Sequence, residues 1–346
     1  MIRLPLPGQP PPAAGRLSSV TYAVIRGAMV MGCWQWWHRA VTGTLTASAI
    51  AAVGFTAAPA ASAATQVCTS ATHPGLARKI SRDMLASFRG RTSVAGVRVK
   101  DPALGISCSL NGYKHFYSAS VVKVTILAAL LRKADQQNRS LTAAERGYAW
   151  KMITESDNTA ATRLWNDVGM YWLRHFLNLA RMNHTVLGSN GYWGLTEITA
   201  HDESLLLGLL VKRNSVLTGA NRSYELYLMS KVISSQRWGT PAGVPTSYRV
   251  HVKNGWLPVT GYGWFINSLG AFTRSNGRSY TMDVLTDHNS SMSYGVTTVE
   301  DIARAVNRDL ASASGTAAAP AVPRSTPSAT WNRPDETIPD RMTPSH

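Results

Sequence analysis

The chain has 346 residues, 45% of them hydrophobic and 16% charged, with 35 Lys and Arg against 19 Asp and Glu, a formal charge of +16. That much apolar content excludes a wholly disordered chain, and the length allows one large or two modest domains. The basic balance suits an acidic partner such as a cell-wall polymer; no long Lys/Arg run and no nucleic-acid motif is present, so no nucleic-acid partner is expected.

The first 63 residues hold Arg3, Arg16, Arg26 and Arg39 but no Lys, Asp or Glu. An Ala-rich apolar run from Val41 to Phe55 then leads to Ala61-Ser62-Ala63. A positive flank, a short apolar region and an A-x-A site form a signal-peptide plan, which predicts a leader over 1–63 and an exported mature chain. Cys33 falls in that leader. Cys68 and Cys108 remain, an even number in an oxidising compartment, and are expected to pair.

Leu76, Ile80, Met84 and Phe88 recur at four-residue spacing and predict an amphipathic helix. Val94 to Val99 and Gly105 to Leu110 read as two strands joined at Asp101-Pro102, with Cys108 on the second. Ser120 opens an apolar stretch to Leu131 that is long enough for a buried helix. Thr142-Ala143-Ala144-Glu145 is a capping-box pattern starting a helix towards Thr154. Further helices are predicted over Thr159 to Asp167, Tyr171 to Met182, Asp202 to Lys212 and Arg222 to Ile233. Strands return at Tyr248 to Lys253, Trp264 to Phe272 and Tyr280 to Thr286, the last two joined by Asn276-Gly277, a hairpin signal. A helix from Val299 to Leu310 closes the domain, taken as 64–310, and the Ala/Pro/Ser/Thr-rich 311–346 reads as a disordered tail. This order predicts an α+β fold: both ends of the chain build one five-stranded antiparallel sheet around an all-helical insertion.

Ser120-Val121-Val122-Lys123 places a hydroxyl and an amine on one face at a helix start. A serine oxygen becomes a good nucleophile when a base takes its proton, and a lysine can do so when burial or nearby positive charge lowers its pKa. By itself the pattern is weak, because S-x-x-K arises by chance about once in a chain of this length. Two further motifs follow. Ser156-Asp157-Asn158 lies 36 residues on, between helices, and Lys253-Asn254-Gly255 lies 97 residues beyond, at the end of a predicted strand.

The three elements, in this order and context, resemble the S-x-x-K, S-D-N and K-T-G signature of class A β-lactamases and penicillin-binding proteins. The resemblance runs from about Leu76 to Leu310 and implies the β-lactamase/transpeptidase fold. It implies Ser120 as the acylated nucleophile, Lys123 as its base, Ser156 as a proton relay and Lys253 as the charge that attracts a substrate carboxylate. Asn158, Asn254, Gly255 and Trp256 would bind substrate, with the N–H groups of Ser120 and Trp256 forming the oxyanion hole. Substrates would be β-lactams or D-Ala-D-Ala-like cell-wall peptides. No cofactor and no protein partner is implied, and a monomer is expected. The second reading is a non-catalytic cell-wall-binding protein on the same fold.

Two departures qualify the likeness. Asn254 stands where the family has Thr or Ser. The stretch Gly188 to Glu197 lacks the E-x-x-L-N segment whose Glu activates the deacylating water in class A enzymes, so slow deacylation is expected. Glu197 reads instead as a charge at a helix start. Trp193 and Trp238-Gly239 read as core or cleft lining, and His115 and His251 as surface or packing residues. None of the nine His falls in a local metal-binding spacing, so no metal site is predicted.

Overall fold

Alternate residues of the central strands feed two separate cores, and this arrangement places a sheet between two helical layers. The computed structural model describes residues 65–313 and 315. The strands are β1 (Cys68–Thr69), β2 (Val94–Asp101), β3 (Ile106–Leu110), β4 (His115–Tyr117), β5 (Glu197–Thr199), β6 (Arg249–Val259), β7 (Gly263–Thr273) and β8 (Ser279–Asn289). The helices are α1 (Pro74–Ser87), α2 (Val122–Gln136), α3 (Ala143–Thr154), α4 (Asn158–Ala180), α5 (Ala200–Val211), α6 (Gly219–Ser230) and α7 (Met292–Ala313). On β8, Met282 and Val284 join Ile80, Met84, Val299 and Ile302 of α1 and α7 on one face, while Leu285 joins the core of the helical insertion on the other. Both faces being covered, the long strands lack a solvent-exposed side, and polar side chains such as Thr281 and Asp283 of β8 are buried with the rest.

The main sheet runs β1-β3-β2-β8-β7-β6, antiparallel throughout. It has six strands where five are expected. The additional strand is the two-residue β1, too short to show an alternating pattern, which pairs Cys68 opposite Cys108; the two cysteines are disulfide-bonded. A separate ribbon, β4 with β5, was equally invisible at three residues per strand. Glu197 accordingly lies on β5, opposite Tyr117, rather than at the start of a helix; α5 begins after Thr199, whose hydroxyl caps it.

The capping box at Thr142 forms with Glu145 as read from the sequence. The two helices predicted on either side of Gly169 form as expected: they are the two halves of α4, which meet at a kink where Gly169 takes the non-helical φ 76° and ψ 157°. The closing helix starts at Met292 and continues to Ala313, so residues 311–313 belong to it, Ala311 being buried, and not to the tail. The expected leader and the remainder of the tail lie outside the described residues. Among the described residues no helix is long and apolar enough to cross a membrane.

Helix α2 decides the chemistry. Eleven of its fifteen residues are buried, as expected of a helix apolar around its whole circumference. Lys123 sits in its first turn and is fully buried with the rest.

Candidate active site

Ser120 lies in a 3-10 turn, Ala119–Val121, that runs directly into α2. Several groups hold this turn. Ser118 donates its N–H to the Thr196 carbonyl at 2.8 Å and its hydroxyl to the Gly194 carbonyl at 3.3 Å. Asn267, fully buried on β7, donates its amide to the carbonyls of Tyr117 (2.8 Å) and Ser118 (3.1 Å) and accepts the Thr286 N–H. Ala119 is held at φ 47°, a left-handed conformation that costs a non-glycine residue about 1–3 kcal/mol and persists only where the surroundings enforce it. Ser118, the other hydroxyl near Lys123, is buried and engaged, which leaves Ser120 at 9% exposure as the reachable one.

The Lys123 ammonium nitrogen contacts the Ser156 carbonyl (2.7 Å), the Asn158 Oδ1 (2.8 Å) and the Ser156 hydroxyl (3.2 Å). None of these partners is a carboxylate. Burial, and then the charge of Lys253, pull the Lys123 pKa well below the usual lysine range, opposed only in part by Asp157. The three oxygen partners are all uncharged, so hydrogen bonds but no counter-ion offset the burial that favours the neutral amine, the form that can take a hydroxyl proton.

Ser156 precedes the Asp157 cap of α4 and takes φ 60°, a second strained residue at the site. Its hydroxyl accepts from the Lys253 amine at 2.9 Å, and that amine also donates to the Asn254 carbonyl at 2.8 Å. Burial brings the Lys253 pKa down to about 7. Two lysines and Ser156 therefore form one polar chain inside an apolar shell.

β6 passes against the Ser120 turn at Gly255. A Cβ at that position would stand 2.8 Å from the Ser118 carbonyl oxygen, 2.8 Å from the Ser120 nitrogen and 2.9 Å from the Val121 nitrogen. Only glycine allows this approach, which brings the Gly255-Trp256 backbone beside the Ser120 N–H. The structure thus brings together Ser120, Lys123, Ser156, Asn158, Lys253 and Gly255.

Asn254 departs from the expectation. It is 1% exposed, and its two amide protons go to the Gln236 (2.8 Å) and Trp238 (2.9 Å) carbonyls, so they are not presented to a substrate carboxylate. Alternation along β6 explains this: with Lys253 and Gly255 facing the Ser120 turn, Asn254 faces the other side. Trp238 is buried, as is Gly239, where a Cβ would meet the Ser268 hydroxyl at 2.4 Å. His251 packs with the Leu226 carbonyl and the Thr273 hydroxyl as its partners, and His115 is exposed.

Of the two readings of Trp193, core packing holds: it belongs to the core of the helical insertion, at the edge of the lysine pair. The indole is 2% exposed, donates to the Thr162 hydroxyl at 3.0 Å, and lies with its ring centroid 4.7 Å from the Lys123 amine. Asn267 was missed altogether; its one signal is a polar residue inside the apolar run Trp264-Phe265-Ile266-Asn267.

A model of the family described as "Beta-lactamase enzyme family" matches residues 75–145 and 146–310. Similar solved structures include a class A β-lactamase representative from Bacteroides cellulosilyticus DSM 14838, at 17% identity and TM-score 0.59, covering 68% of this chain and 98% of that one. A β-lactamase from Sphaerobacter thermophilus DSM 20745 is similar at 20% identity and TM-score 0.56, covering 68% and 97%. PBP-A, as a point mutant in an acyl-enzyme complex with penicillin G, is similar at 19% identity and TM-score 0.58, covering 67% and 96%. These likenesses concern the fold. No curated protein matches the chain.

Proposed function

Because the chain belongs to the β-lactamase enzyme family, we propose that it is a serine hydrolase that acylates itself at Ser120 with a carboxylate-bearing amide, a β-lactam or a D-Ala-D-Ala-like peptide, and releases the acyl group slowly. One observation carries this reading: Lys123 is a fully buried amine with no carboxylate among its partners, its pKa pulled well down by burial and by Lys253, one helical turn from a reachable serine hydroxyl. In the proposed acylation the Ser120 Oγ proton passes to Lys123 as the oxygen attacks the substrate carbonyl. The N–H groups of Ser120 and Trp256 hold the oxyanion, and the Gly255 approach supports that pairing. Ser156, between the two amines, hands a proton to the departing nitrogen. Lys253 attracts the substrate carboxylate, a task that falls to it the more because Asn254 is engaged elsewhere; Asn158 keeps its NH2 for the substrate amide.

Release of the acyl group requires a base aimed at a water. The Trp193 indole faces Lys123 and supplies no such group, Asp157 caps the Ala160 N–H, Glu155 is exposed, and Glu197 is held in the β4–β5 ribbon opposite Tyr117. A persistent ester is the consequence. The Cys68–Cys108 bond and the leader pattern support an exported protein acting at the cell wall, and the basic charge suits an acidic polymer there. Incubating the purified protein with a fluorescent penicillin and reading intact mass tests the proposal: one covalent adduct, absent in Ser120→Ala, is expected. No adduct with any β-lactam would favour a non-catalytic cell-wall-binding protein.

A further inference from the structure

Away from the lysines, three segments distant in sequence converge at the other end of the β4–β5 ribbon. The His201 N–H donates to the Gly112 carbonyl at 2.7 Å, and the ring of His115 contacts the His184 carbonyl at 2.8 Å. Asp202, in the first turn of α5, is fully buried at this junction. Its two oxygens have different partners. Oδ2 accepts the His184 N–H and the Thr185 hydroxyl, both at 2.8 Å, while Oδ1 faces Nδ1 of His184 at 3.2 Å and Nδ1 of His201 at 3.1 Å. Ligand atoms of the three residues all lie within 4.8 Å of one another. The Tyr113 ring covers the group, stacked on His201 at 4.6 Å and edge-on to His184 at 4.9 Å.

We propose that His184, His201 and Asp202 form a binding site for a zinc-class divalent cation, in a place separate from the lysine pair. Zinc holds imidazole nitrogen and carboxylate oxygen at about 2.0–2.2 Å in a tetrahedron, which puts neighbouring ligand atoms about 3.3 Å apart. Oδ1 makes hydrogen-bond contacts with the two Nδ1 atoms at 3.2 and 3.1 Å, near that edge, so an ion could replace the shared proton with little movement of these two pairs. Two imidazoles and one carboxylate are a nitrogen-rich set that suits zinc and its neighbours rather than calcium or magnesium, which take oxygen ligands. The carboxylate is already oriented by the His184 N–H and the Thr185 hydroxyl, the outer support that metal ligands need. His184 is 41% exposed, so the cluster is open to solvent on that side and an ion can enter there. Local spacing could not reveal this set, because the loop after α4 and the start of α5 are brought together only by folding. The bound ion would pin that loop to α5 and, through β5, to the ribbon that leads to Ser120.

The test is Zn2+ titration of tag-free, chelator-treated full-length protein by calorimetry and equilibrium dialysis, with Co2+ absorption as a probe of four-coordination. One Zn2+ per chain is expected, with affinity falling at least about 100-fold in His184→Ala and in His201→Ala, and unchanged in His175→Ala. Circular dichroism without metal checks each fold, and Asp202→Asn, which keeps the shape of the side chain, should weaken binding as well. No stoichiometric Zn2+ binding by the wild-type protein at micromolar concentrations, or full affinity in the folded double variant His184→Ala/His201→Ala, overturns the proposal.

Discussion

Gly255→Ala is the smallest change that should disable Ser120 without touching any reacting group. The added methyl would meet three backbone atoms of the Ser120 turn at 2.8, 2.8 and 2.9 Å, about 0.6 Å inside an ordinary 3.4 Å contact. Backbone cannot rotate away as a flexible side chain can, and the turn is pinned from behind by Asn267 and by the Thr196 carbonyl. Either β6 or the Ser120 turn must therefore move by about half an ångström. Overpacking of this kind costs about 1–3 kcal/mol. If a 1 Å misplacement costs about 10²-fold in rate, acylation should slow by about tenfold or more. The assay is the second-order rate of labelling by a fluorescent penicillin, measured beside the melting temperature. Gly147→Ala is the matched control, since a Cβ there meets nothing within 4 Å on the exposed side of α3 and should stabilise the helix. A Gly255→Ala protein that labels within twofold of wild type and melts at the same temperature would refute the claim that this contact sets the site geometry.

Trp193→Glu places a carboxylate beside Lys123 and should raise the deacylation rate by about 10²-fold or more, seen as turnover in place of a stable adduct; an adduct as persistent as in wild type would mean that the missing base is not what slows release. The second-order acylation rate should pass through a maximum with pH: it rises as Lys123, whose pKa burial and Lys253 lower, gives up its proton, and it falls as Lys253 loses its charge above about pH 7. A rate still climbing at pH 9 would remove the charged role of Lys253. Glu225 is fully buried with both oxygens unpartnered, and burial raises its pKa well above 4.5. The folded state then keeps a proton that the unfolded chain releases, so its contribution is intact below pH 4.5 and is lost by about 1.4 kcal/mol per unit as pH rises towards the folded pKa. Glu225→Gln should thus gain on wild type in melting temperature as pH rises from 5 to 8, and a difference constant with pH would count against a protonated Glu225. Exported material analysed by intact mass should begin near Ala64; a mass that includes Trp36 would contradict the leader.

The sequence by itself determined what depends on near neighbours. The periodicities located α1, α2, β7, β8 and the first half of β6, which continues through Lys253-Asn254-Gly255 to Val259; the capping box set the start of α3, and the S-x-x-K spacing put Ser120 and Lys123 on one helical face. Segregation of strands to the two ends predicted the α+β layering. Tertiary structure alone decided the properties that arise from desolvation and from contacts across the chain. The Lys123 pKa is lowered because α2 is buried around its whole circumference and because Lys253, from a strand 130 residues later, stands close by. Asn254, read as a substrate donor, turned out to be engaged with two carbonyls, since which face of β6 meets the Ser120 turn depends on its packing against that turn and not on its own residues. Trp193 meets Lys123, and His184 meets His201 and Asp202, through loops with no period to read. The strands β1, β4 and β5 escaped notice for the same physical reason: two or three residues carry too little pattern, and their pairing energy comes from a partner strand that only the folded chain supplies.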